Sequence, residues 1–183
     1  MTFGILGLAA TVAAMTFAAE TDASKACRSV SMATYSVCLP AGWQFRRDAT
    51  LERLFTCSKK RGLCTNTGGG LPLKGIVTLS MEPADKAPNP SSYHTADDVA
   101  LSIPHGQDPP PTVERVTIEG NPATTCSVAR RLLSWAGVWE EVYGLNVAGR
   151  LFRVQVQFPD EPAVWAARAA TVRKILSSVK STE

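Results

Sequence analysis

Metal-ligand spacing, a phosphate-cradling loop and a nucleophile elbow are all missing from these 183 residues. The chain has only two histidines, His94 and His105, and no two cysteines stand two to four positions apart, the separation at which zinc ligands are usually presented. No metal and no cofactor is expected. Gly-x-Ser-x-Gly is absent, so no serine sits in the tight strand-to-helix turn that exposes a hydrolase nucleophile. The glycine-rich stretch 68–75 contains Lys74 but lacks the Gly-Lys-Ser/Thr ending that holds phosphate and magnesium. Charge imbalance is small too: 19 Lys and Arg against 16 Asp and Glu leave +3. The densest basic spots, Arg46-Arg47, Lys59-Lys60-Arg61 and Arg130-Arg131, lack the interleaved aromatics of a single-strand binding face, so no nucleic-acid partner is expected.

Charge is also absent from the first 19 residues, and Phe3 to Phe17 form a mostly apolar run. At about 15 residues the run falls short of the ~20 needed to span a bilayer. Thr16 and Ala18 supply small side chains at the two positions a signal peptidase inspects. Residues 1–18 are therefore expected to be a signal peptide cleaved after Ala18, with Ala23 as the second choice. No Lys or Arg precedes the run, so an uncleaved anchor stays open, and membrane contact is expected only through this segment. A lipoprotein signal is not expected, because Ser24-Lys25-Ala26 before Cys27 lacks the apolar residue three places upstream.

All five cysteines, Cys27, Cys38, Cys57, Cys64 and Cys126, lie beyond that segment, which fits an oxidising compartment and a periplasmic or secreted protein. Their odd number leaves one thiol over, and spacing selects no connectivity. Cys57 and Cys64 are the expected bridge, since the six residues between them suit a hairpin loop.

With 45% hydrophobic residues the chain can pack one core, expected over residues 34–183 after a polar segment 19–33 that has room for a short helix. Strands are expected at Thr34 to Leu39, Leu51 to Cys57, Gly75 to Glu82, Thr112 to Glu119, Ala123 to Leu133, Val138 to Val147 and Arg150 to Phe158. Gly42 suits a positive-φ turn and Trp43 an anchor beneath the sheet. Thr95 and Asp98 have the spacing of a capping box ahead of a short helix. Phe152, Val154, Val156 and Phe158 alternate with Arg153, Gln155 and Gln157, the pattern of a strand buried on one face. A closing helix from about Ala163 to Val179 carries Trp165, Ala169, Val172, Ile175, Leu176 and Val179 at helical spacing, with Asp160 as its cap. Strands joined by short turns pair antiparallel, so the class is α+β.

Tyr35-Ser-Val-x-Leu-Pro-x-Gly-Trp43, Gly120-x-Pro-Ala123, Gly149-Arg-x-Phe152 and the ending Ile175-Leu-Ser-Ser-Val179 resemble the landmarks of the PsbP-like superfamily, which includes the Ran-binding Mog proteins and small exported bacterial relatives. The resemblance covers about Thr34 to Val179. It implies an α/β/α sandwich around a mainly antiparallel sheet of about six strands, and a non-enzymatic binding or assembly module. The five cysteines and the 57–64 loop depart from that pattern, so the group's partner surfaces do not transfer.

Candidate chemistry is sparse. His94 with Asp97 and Asp98 has a spacing that presents an imidazole beside carboxylates, although acidic residues in a first helical turn are explained by the helix dipole. Glu140 and Glu141, adjacent on a strand, point to opposite faces. Trp135 and Trp139, with Arg130, Arg131 and Arg153, form the expected binding surface, aromatic and basic, for an acidic or aromatic protein partner. The expected function is an exported, non-catalytic protein-binding or assembly module of the bacterial envelope. The alternatives are an immunity or inhibitor protein against a secreted toxin or enzyme, and a small periplasmic hydrolase using His94 or His105.

Overall fold

The computed structural model describes residues 27–58, 76–103, 111–118, 120, 124–133, 138–159 and 162–182. The chain is α+β: ten strands and two α-helices among the described residues, with every strand pairing antiparallel. A three-stranded sheet has the order β1 (Cys27–Ser31), β2 (Tyr35–Pro40), β10 (Lys180–Ser181). A seven-stranded sheet runs β3 (Gln44–Asp48), β4 (Arg53–Cys57), β5 (Thr78–Pro83), β9 (Arg150–Pro159), β8 (Val138–Val147), β7 (Thr124–Leu133), β6 (Val113–Thr117). The expected sheet of about six strands is thus corrected to seven, with three more in a second sheet.

The central strands form by the alternation visible in the sequence. Phe152, Val154, Val156 and Phe158 of β9 are all fully buried. Antiparallel register places Leu145, Tyr143, Glu141 and Trp139 of β8 opposite them on the same face. The β8–β9 hairpin turns at Ala148 and Gly149, with φ of 52° and 88°, the two positive values that match the right-handed twist of the strands it joins.

Helix α2 (Pro162–Ser177) covers that face together with the small sheet. Val172, Ile175, Leu176 and Val179 recur at helical spacing and are buried there with Val37, Leu39 and Trp43. Tyr35 packs edge-on against Phe152 at 5.3 Å, and its hydroxyl lies 3.0 Å from the carbonyl oxygen of Met81. Ser178 Oγ accepts from the Cys38 N–H at 2.9 Å and ties the end of α2 to β2. The layer expected to be helix alone is therefore helix and sheet together. Asp160 and the side chain of Trp165 lie outside the described set.

The opposite face carries α1 (Ala96–Ala100). Its Ala100, with Ile103, packs on Ala129 and Val142. Three elements depart from expectation. The polar stretch with room for a helix holds β1 instead, N-terminal of Thr34 and hydrogen-bonded to β2. β3 was not marked by alternation, and β10 is two residues long.

Candidate binding surface

The polar alternates of β9 do not face solvent as a free patch. Glu82 on β5 accepts from Arg53 Nε on β4 and from Arg153 Nη1 on β9 at 3.4 Å. Arg153 also donates from Nε to Ser102 Oγ at 2.9 Å, next to α1. Glu140 on β8 accepts from Arg131 Nε and Gln155 Nε2, both at 2.5 Å, and from Gln157 Nε2 at 3.1 Å. Glu82 and Glu140 are each 1% exposed and Arg153 8%. Charges withdrawn from water this far persist only when paired and hydrogen-bonded. The network therefore holds five neighbouring strands in register, and its carboxylates are occupied.

On the α2 face a second cluster forms. Glu141 accepts from Arg130 Nε at 2.7 Å and from the Tyr143 hydroxyl, while Arg130 also reaches Glu114. Burial, reinforced by the nearby Glu141, pushes the Cys126 thiol up to about 12 and raises the Tyr143 hydroxyl far above its ordinary value. A thiol so placed stays protonated at neutral pH and is no nucleophile. Glu140 and Glu141 do point to opposite faces, as their adjacency requires.

The acidic residues near His94 build the helix start. Asp98 accepts from the backbone N–H of His94 at 3.0 Å and of Thr95 at 2.8 Å, and Thr95 Oγ1 accepts from the Asp98 N–H, completing the capping box. Its carboxyl is held below the ordinary value, first by Thr95. Asp97 is lowered too, by Ser127 and then Arg115. His105 lies outside the described residues. Among the described residues no group of three or more His, Cys, Asp and Glu side chains could hold a metal ion.

The expected binding surface is divided. Register puts Arg130 and Trp139 on the α2 face and Arg131 and Arg153 on the α1 face, so the sheet separates them. Trp139 is half-buried against the core, and Leu132 opposite it is 42% exposed. Arg130, Arg131 and Arg153 all engage carboxylates. Trp135 lies outside the described residues. Among the cysteines, the structure bridges Cys27 to Cys38, with Cα atoms 5.5 Å apart, a pair the spacing did not nominate. Cys57 is disulfide-bonded, while its expected partner Cys64 lies outside the described residues. Cys126 is the buried free thiol.

Exposed cations gather elsewhere, at the β3 end of the large sheet. Arg28 stands 4.4 Å over the Phe45 ring and Arg47 5.4 Å over the same ring, while Arg46 and Arg53 lie 5.0 and 5.7 Å over Phe55. Guanidinium stacking on a ring fixes the cation and leaves N–H groups over for other acceptors; Arg53 gives its Nε to Glu82 and Arg28 an Nη2 to the Trp43 carbonyl at 3.4 Å. Arg28, Arg46 and Arg47 are exposed. The sequence showed Arg46-Arg47 beside Phe45; only the register brings Phe55 directly across from Arg46. Away from this edge, a shallow cleft of about 550 Å³ lies between Ala84, Tyr93 and the β8–β9 turn, and one of about 430 Å³ lies beside Arg173 and Lys174.

Fold and surface together define an α+β protein with a stacked arginine-aromatic edge. No family model and no curated protein matches the chain. Among solved structures it is similar to a mutant of "Protein Mog1", at 7% identity over 86% of this chain and 96% of that chain, with a TM-score of 0.48.

Proposed function

We propose that the protein is an exported, non-catalytic module that recognises another protein at the bacterial envelope, and that the β3–β4 edge is its contact region. The observation that carries this reading is the edge itself: Arg28, Arg46 and Arg47 exposed and stacked on Phe45 and Phe55. Arginine is enriched among the residues that dominate binding energy in protein interfaces, and phenylalanine is enriched in the composition of such interfaces. Export is supported by the Cys27–Cys38 bridge, since such bonds persist in oxidising compartments. No helix among the described residues is long and apolar enough to cross a membrane.

Native capture with the tagged protein, followed by mass spectrometry, tests the reading. A defined envelope protein is expected, retained by the wild type and lost from Arg46→Glu/Arg47→Glu. Trp139→Ala, run beside it, tests the surface that the sequence nominated; loss of the partner there with the arginine variant unaffected would move the contact to the Leu132–Trp139 side. Recovery of no partner under native conditions would count against the whole reading.

A further inference from the structure

We infer that β3, the last strand of the large sheet among the described residues, is a receptor strand whose outer edge takes up an extended acidic segment of a partner protein carrying two adjacent carboxylates. This rests on the protein-binding reading above and specifies its chemistry.

The first observation is topological. β3 ends the seven-stranded sheet, so among the described residues its outer backbone groups meet no further strand. Such an edge is a template for another strand unless something blunts it. The two ends of the sheet also differ in how their charges are paired. At the β6 end each charge is matched, Glu114 with Arg130 and Arg115 with Asp97 at 3.0 Å. At the β3 end no carboxylate of the described residues lies within ion-pair distance of Arg46 or Arg47. Asp48, the only carboxylate on the strand, accepts the N–H groups of Thr50 and Leu51 in the following turn.

The third observation is the crowding of like charge. Arg28 and Arg47 share one ring, which holds their guanidinium groups within about 10 Å of each other, inside the screening length at 0.1 M salt. An anion placed between them relieves the repulsion. Edge cations also serve to keep sheets from pairing with copies of themselves. A mobile lysine suffices for that role, whereas stacked arginines are fixed in advance, which lowers the entropy lost on binding.

Charge thus rejects a second copy of this edge and admits an acidic strand. Register says how the acids must be arranged. Arg46 lies on the α1 face, opposite Phe55, and Arg47 on the α2 face, opposite Leu54, with Arg28 above it. Neighbouring residues of an added strand also point to alternate faces. A Glu-Glu pair therefore meets Arg46 with one carboxylate and the Arg28–Arg47 pair with the other.

The test uses the whole protein and the capped peptide Thr-Val-Glu-Glu-Val-Thr, followed by fluorescence anisotropy and by amide exchange of β3. Saturable binding is expected, with β3 amides slowed, and with affinity reduced at least tenfold by Arg46→Glu/Arg47→Glu, by N-methylation of alternate peptide amides, and by Lys for both glutamates. Arg46→Gln/Arg47→Gln serves the same decision should the charge-reversed protein not fold. The proposal is overturned by an absence of saturable binding, by equal binding of the N-methylated peptide, which would mean charge attraction without strand addition, or by unchanged binding to the arginine variants. Native capture separates it from the broader reading: a partner retained by the wild type while this peptide fails leaves protein binding standing and removes strand addition.

Discussion

Gly144 is the point at which α1 meets the bare backbone of β8. A Cβ built there would lie 1.9 Å from the carbonyl oxygen of Ala96, a backbone atom that cannot swing away. Gly144→Ala is expected to lower stability by at least ~1–3 kcal/mol, the range for overpacking, measured as a shift of the urea midpoint. Unchanged stability would mean that α1 does not rest on β8. No sequence signal marks this glycine, because its importance is a distance to a residue 48 positions away. The same limit applies to Glu82, Glu140 and Arg153. In the sequence they are the polar members of alternating strands; only the sheet shows that they complement one another and are buried. That is why Arg153, expected on a contact surface, belongs to the interior.

Among the elements, β8 and β9 were legible almost to the residue, since Phe152 to Phe158 alternate and the turn between the two strands carries Ala148-Gly149. The capping box at Thr95 and Asp98 was legible because all its partners lie within four residues. β1, β3 and β10 were not, because edge and end strands bury few side chains and leave little alternation to read. The Cys27–Cys38 bridge belongs with them: it joins β1 to β2, and β1 buries only Val30 and shows no alternation. Closing a loop of that length removes unfolded-state entropy worth about 3 kcal/mol. Digestion of the unreduced protein is expected to yield Cys27 linked to Cys38 and Cys57 linked to Cys64, with Cys126 alkylated only after unfolding. Reduction should then lower stability by about 2–4 kcal/mol. Five free thiols in the protein as isolated would remove the bridges and, with them, the support for an oxidising compartment.

For the whole molecule, the buried acids set a dependence on alkaline pH. Cys126 is raised from 9.0 to about 12, and Tyr35 and Tyr143 are raised well above 10.0, in each case chiefly by burial. As pH climbs past about 9 the unfolded chain releases these protons while the folded chain retains them, so the folded state binds more protons and stability falls. The contribution is fully present below the unfolded values. Urea midpoints measured from pH 7 to 11 are expected to hold level with respect to these groups up to about pH 9 and to decline beyond it. Midpoints that stay level from pH 9 to pH 11 would show that these groups are exposed to water.

The sequence by itself determined the α+β class, the long central hairpin, the face of β9 that is core, the helix start at Thr95 and the closing helix. Each of these follows from periodicity or from contacts within a few residues, which a linear chain displays. Tertiary structure alone decided which strands are neighbours, which cysteine Cys27 meets, and on which side of the sheet each arginine falls. The expected site joined Arg130 and Trp139 to Arg131 and Arg153, and a sheet stands between them because neighbouring residues on a strand face opposite ways. Arg46 and Arg47 obey the same rule, and on the last strand of the large sheet that alternation presents cations on both faces.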